Sequence, residues 1–222
     1  KKGLDIHKFT ASEINNVPID KVTPQMRFAA KALNFGIIYG IGAKSFAESA
    51  GISREKARDF ISEYLKDFSG IAKYMQDLKN KARDIGFTIT LFGRRRYIPE
   101  INSPNPMLRS QAERIAINMP IQGLEADIIK KAMIKIDNWI QKLETEFPTN
   151  RNSVSRVKMI LQVHDELLFE VKENLVEKIT PKIIKLMEGV IDLKVPITAD
   201  AKIGDNWGEL RAFSKNSTQK FT

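Results

Sequence analysis

The residues from Val157 to Val171, VKMILQVHDELLFEV, place a histidine and two adjacent carboxylates, His164-Asp165-Glu166, between two apolar, β-prone runs that contain neither Gly nor Pro. Two like charges at the junction of two strands repel each other and resist burial, so one expectation is a metal ion or cationic ligand that neutralises them. The other is a solvated tight turn, because Asp is a common turn residue. The chain has no Cys and only two His, His7 and His164, so a metal site must use oxygen ligands or those imidazoles. That donor set favours Mg²⁺ or Mn²⁺ over zinc. The same counts leave a nucleophilic triad unsupported. No HExxH pattern occurs, and Gly36 to Gly42 lacks the Gly-Lys-Ser/Thr ending of a phosphate loop.

A second constellation lies near the N-terminus, where Arg27, Lys31, Phe35 and Tyr39 recur every four residues along one helical face. Two cations followed by two aromatics suit a nucleoside triphosphate, with phosphate oxygens at one end and flat rings for sugar and base at the other. An ordinary amphipathic helix, with snorkelling cations and Phe35 in the core, accounts for the same spacing. Arg94-Arg95-Arg96, between Gly93 and Tyr97, puts three planar cations on a turn within reach of a polyanion, although a solvated charge run reads the same way. Arg109, Gln111, Arg114, Asn118 and Gln122 add cations and amides, and amide donors can address minor-groove acceptors or bond between helices. His7 alone reads as a surface histidine.

These residues need elements to hold them. Modest helical patterning runs to Asn15 and gives way to a loop with Pro18, and a stronger helix runs from Pro24 to Tyr39 before Gly40 and Gly42 break it. Two more helical patterns, 53–68 and 71–85, flank Ser69-Gly70, with Ser53 a suitable N-cap. A short strand is expected over Phe87 to Leu91, then helices over 107–118 and from Leu124 to about Leu143, interrupted by Pro120 and Gly123. Thr145 to Ser155 reads as a surface loop, 174–190 as a helix restarted at Pro181, and Val195 to Ile203 as a final strand. Mostly helices, then helices mixed with strands, predicts an α+β fold rather than a parallel α/β sheet. With 222 residues, 42% hydrophobic content and a formal charge of +9, the chain is expected to be globular and to favour a polyanionic partner. No apolar run approaches the roughly 20 residues of a bilayer span, which makes an intracellular location the default. The opening Lys1-Lys2-Gly3, without Met, suggests a piece of a longer protein.

The segment Arg27-Phe28-Ala29-Ala30-Lys31-Ala32-Leu33-Asn34-Phe35-Gly36-Ile37-Ile38-Tyr39-Gly40 resembles motif B of the family A DNA polymerases, the bacterial DNA polymerase I group, and the His164-Asp165-Glu166 segment resembles their motif C. Leu91 to Pro99 and Asn118 to Gly123 are similar to two further family segments in the same order. The resemblance implies a right-hand polymerase, with fingers over 1–97, distal palm over 98–212 and a flexible tail over 213–222. It implies that His7, Arg27 and Lys31 reach the triphosphate, with Lys31 a candidate proton donor to pyrophosphate. It also implies that Phe35 packs near the sugar and Tyr39 lies near the templating position. Arg94, Arg95, Arg96, Arg114, Asn118, Gln122 and His164 are then expected on primer-template DNA, Asp165 on catalytic Mg²⁺, and Glu166 in support. The dipeptide Leu124-Glu125 departs from the Thr-Ala of many members, and the motif A carboxylate is absent from this sequence. A two-metal site is therefore expected to draw its second carboxylate, with the remaining palm and thumb, from upstream, in a bacterial cytoplasm or an organelle. The alternative is a basic DNA-binding module without catalysis.

Overall fold

A computed structural model of the chain describes residues 5–146 and 156–213. The chain divides after Ile121 into two compact units. The first holds α1 (Ile6–Asn15), α2 (Pro24–Ile38), α3 (Ala43–Ala50), α4 (Arg54–Asp67), α5 (Ser69–Ile85), the hairpin of β1 (Phe87–Ile89) and β2 (Arg95–Tyr97), and the start of α6 (Pro106–Glu146). The second takes the remainder of α6, the hairpin of β3 (Val157–Val163) and β4 (Glu166–Val171), α7 (Val176–Glu188), and the short pair β5 (Lys202–Ile203) and β6 (Arg211–Ala212). Helices dominate, and the described strands form antiparallel pairs, so the fold is α+β as the sequence predicts. No helix among the described residues is long and apolar enough to cross a membrane.

In the first unit, Leu33 and Ile37 of α2 pack with Phe46 and Ala47 of α3 and Ala57 and Tyr64 of α4. Ala82, Ile98, Ile101, Ala112 and Ala116 form a second core, and Ala11, Val22 and Ala30 tie α1 to α2. The second unit is built on Ile136 and Ile140 of α6, Val157 of β3, and Ile179 and Ile183 of α7.

Helix α2 has well-defined ends. Thr23 Oγ1 accepts the Met26 N–H at 3.2 Å and Pro24 opens the first turn. At the other end Gly40 N–H donates to the Ile37 carbonyl at 2.9 Å and Ile41 N–H to the Gly36 carbonyl at 2.8 Å, the paired bonds of a Schellman motif. Gly40 is left-handed, with φ +77°, and a Cβ there would meet Arg114 Cγ at 3.2 Å. Substituting G40A should therefore cost about 1–2 kcal/mol of local stability, and hydrogen exchange should read it as faster exchange at the amides of positions 40 and 41. Unchanged protection would show that this turn is not constrained.

The structure corrects several expectations. Helix α3 is an extra element: Gly42 is its N-cap rather than a simple breaker. Ser69 and Gly70 lie inside α5, and Phe68 makes the break instead, with φ −101° and ψ 51°, its ring 4.7 Å from that of Tyr64. Arg95 and Arg96 are on strand β2, not on a turn; pairing with Ile89 and Thr88 directs them to alternate faces. The chain reverses through Thr90 to Arg94, where Arg94 N–H donates to Thr90 Oγ1 at 3.2 Å. Only Lys202–Ile203 of the expected final strand pairs, because Pro196 lacks a ladder donor and the partner, β6, is two residues long. Of the expected surface loop, Thr145 belongs to α6 and residues 147–155 lie outside the described residues, as do residues 214–222 of the expected tail.

The two helices expected around Pro120 are one helix, α6. Proline at 120 has no N–H for the carbonyl four residues earlier, that of Ala116. The buried Thr88 hydroxyl of β1 donates to that oxygen at 3.3 Å and supplies the missing bond.

Candidate functional site

In the first unit, helix α1 begins where the Asp5 carboxylate accepts the His7 and Lys8 N–H groups, at 3.0 and 3.1 Å on Oδ1. Its Oδ2 accepts Arg27 Nε from α2 at 2.7 Å, with both side chains partly exposed. The Arg27 bond is the main reason the Asp5 carboxyl lies below the ordinary aspartate range, with the Lys8 amide next and partial desolvation opposing both. A depressed carboxyl stabilises the fold above its unfolded-state pKa and loses that contribution as pH falls through the folded value. Acid thus loosens the α1 cap and the Arg27 tether together.

Helix α2 buries Ala30, Leu33, Asn34 and Ile37, which leaves the face carrying Arg27, Lys31, Phe35 and Tyr39 open. Phe35 and Tyr39 are 42% and 43% exposed, so Phe35 is not the core residue an ordinary amphipathic helix would make it. Their rings run nearly parallel, 6.2 Å apart. The His7 ring lies 6.0 Å from Phe35 and Lys31 Nζ 5.9 Å from the same ring centre. His7, Arg27, Lys31, Phe35 and Tyr39 are therefore gathered on one exposed surface, and Asp5 and Asn34 stitch its two helices together.

Further along this unit, Arg114 is exposed and bonds Ser110 Oγ at 3.2 Å, its stem lying against Gly40. Asn118 donates from Nδ2 to the Tyr39 carbonyl over a long 3.4 Å, while its Oδ1 is buried and meets no donor among the described residues. Helix-to-helix bonding thus accounts for half of this amide. The three arginines are exposed at the β1–β2 hairpin, where Arg95 lies over the Phe87 ring at 5.1 Å.

The second unit carries Gln122, exposed on α6, and the carboxylate hairpin. Val163 pairs with Glu166, which leaves His164-Asp165 as a two-residue loop. His164 takes a left-handed φ of +53°, the feature that tight hairpin turns share at this position, and Gln162 Nε2 donates to its carbonyl. A bulge at Ile160 shifts the register between Met159 and Leu161, and Met159, Leu167, Phe169 and Val171 pack on the α6–α7 core. The rigid base holds a loop whose His164, Asp165 and Glu166 are all exposed, so water screens the repulsion between the two carboxylates.

Asp165 and Glu166 offer the hard oxygen donors that Mg²⁺ prefers, from one side of a coordination sphere that takes six ligands. Among the described residues no group of three or more His, Asp or Glu could hold a metal ion, so Asp127, Asp200 and Asp205 do not complete this site. Asp127 is buried in α6. The donor chemistry fits one edge of a Mg²⁺ site and requires further oxygens.

The sequence reading missed Asp5 and Asn34 as partners of site residues. Asp5 was detectable as an N-cap ahead of His7. Asn34 was detectable as a polar residue on the buried face, beside Leu33.

The model of DNA polymerase family A matches residues 1–209. The chain is 44% identical over 209 residues to DNA polymerase I of Pseudomonas aeruginosa, across 94% of this chain and 22% of that protein. It is 46% identical over 211 residues to DNA polymerase I of Rhizobium leguminosarum, across 93% of this chain and 20% of that protein. Among solved structures, the POL domain of Pol1 from M. smegmatis, in complex with DNA primer-template and dNTP, matches with a TM-score of 0.75 and 41% identity, over 88% of this chain and 33% of that one. The chain thus spans about a fifth of the length of the curated relatives it matches. With sequence and fold in agreement along nearly its whole length, the chain belongs to DNA polymerase family A.

Proposed function

We propose that this chain forms the fingers, residues 1–97, and distal palm, residues 98–212, of a template-directed DNA polymerase that transfers nucleotidyl groups from dNTPs to a primer 3′-OH. This functional boundary is distinct from the packing division after Ile121. The gathering of His7, Arg27, Lys31, Phe35 and Tyr39 on one open surface carries the reading, since it combines donors for a triphosphate with flat surfaces for sugar and base.

Each residue has a defined part. Asp5 holds Arg27 through Nε, which leaves the two Nη groups to engage phosphate oxygens. Lys31 contributes a second cation and donates a proton to the departing pyrophosphate. Phe35 packs against the incoming sugar and Tyr39 lies beside the templating base. Arg94, Arg95, Arg96, Arg114, Asn118, Gln122 and His164 bind primer-template DNA, the cations at phosphates and the amides at the minor groove. Asp165 holds Mg²⁺ with Glu166 supporting, and another carboxylate is supplied by residues other than these. When bound, Mg²⁺ supplies Lewis-acid activation of the primer hydroxyl and neutralises phosphate charge.

The full-length gene product should extend a primed template with Mg²⁺ and dNTPs and stop when EDTA is added. Extension that persists in EDTA would remove the metal from the mechanism. DNA binding without extension in Mg²⁺ would favour the alternative, a non-catalytic basic module, to which the +9 charge also lends itself.

A further inference from the structure

We propose that Asn34, backed by Thr10, is a positioning residue that fixes His7 as an Nε2–H donor toward the triphosphate. The inference rests on the nucleotide-site reading above. Thr10 and Asn34 are 2% and 3% exposed, two polar side chains enclosed between α1 and α2. Burying polar groups there is costly unless each is bonded, and an aliphatic pair would serve packing as well. They are bonded, in a line. The Thr10 hydroxyl donates to Asn34 Oδ1 at 2.9 Å, and Asn34 Nδ2 lies 2.9 Å from His7 Nδ1.

The direction of the line sets the imidazole. With Oδ1 occupied by the hydroxyl, the Asn34 amide presents N–H to His7, so Nδ1 must carry the lone pair. The proton of the neutral ring then sits on Nε2. The other restraints on His7 come from its own helix and from the ring beside it: Asp5 caps its backbone N–H and Phe35 lies 6.0 Å away at a 44° tilt. His7 is also three residues before Thr10, on the same face of α1, so one helix face delivers both partners to one buried amide. The line runs from a buried hydroxyl to a partly exposed ring on the surface where Lys31 and Arg27 stand. An anionic oxygen there needs a donor, and this arrangement guarantees one.

A double-mutant cycle in the full-length polymerase tests this, with single-turnover incorporation measured against dNTP concentration. H7A should raise the half-saturating dNTP concentration about tenfold, the loss of one hydrogen bond to a charged group. N34A should raise it about three- to tenfold while the maximal rate stays within about twofold, and N34A in the H7A background should add nothing. T10V, which keeps the side-chain shape, should give the same pattern with a smaller shift, and it carries the cycle if N34A does not fold. Equal effects of N34A, or of T10V, with and without His7 would overturn the proposal, because that is how a purely structural residue behaves. Wild-type nucleotide dependence in T10V and N34A would also overturn it. If the wild type extends primers but H7A uses dNTPs normally, this inference fails and the polymerase reading stands. A wild type that extends no primer fails the polymerase reading itself.

Discussion

Replacing Asp165 with Ala in the full-length protein should lower single-turnover incorporation by about a thousandfold or more. A metal that polarises reacting oxygens is worth several kcal/mol, and each 1.4 kcal/mol is about a factor of ten. The structure separates this effect from misfolding. Asp165 occupies an exposed two-residue loop, outside the core of Val157, Ile136 and Ile179 that anchors the hairpin, so its removal should change stability by no more than about 0.5 kcal/mol. Binding of primed DNA should persist, since Arg94, Arg95, Arg96 and Arg114 lie in the other unit. Stopped-flow or quench-flow incorporation, with a thermal melt of the same preparation, checks both halves. Normal extension by D165A would sink the assignment of the metal ligand.

The second large effect is expected at Lys31, where K31A should slow incorporation by about 10²–10³-fold, within the range for a positioned general acid, and weaken nucleotide use as well. Lys31 is exposed on α2 and its ammonium lies 5.9 Å from the centre of the Phe35 ring, a contact whose loss costs little stability. K31R divides the two roles. Arginine keeps the cation for phosphate binding but gives up a proton far less readily, so the half-saturating dNTP concentration should recover while the maximal rate stays low. An unchanged single-turnover rate in K31A would remove Lys31 from the proton-transfer step.

Much of this was legible in the sequence because the signals are local. The four-residue stripe on α2 lies between a Thr-Pro start and a Gly stop, and the hairpin is declared by two β-prone runs around His164-Asp165. The resemblance to family A then assigned parts that spacing could not. Signals that depend on distant partners were not legible. Helix α3 is only eight residues long and is held by Phe46 and Ala47 in a core with α2 and α4. Arg95 and Arg96 join a strand because Phe87 to Ile89 is there to pair with them. Asn34 looks like any amide within a helix until Thr10 and His7 arrive from α1.

Pro120 was misread for the same reason, and the way its helix survives has a consequence for how the sequence can change over time. The hydroxyl of Thr88 and the ring of Pro120 share the Ala116 carbonyl, one by bonding it and the other by failing to. A lineage that replaced Pro120 would regain the amide and release Thr88 to drift, whereas one that lost Thr88 first would strand a buried oxygen. The two positions are far apart in the chain but meet at one carbonyl, so the cost of losing Thr88 depends on whether residue 120 is still proline.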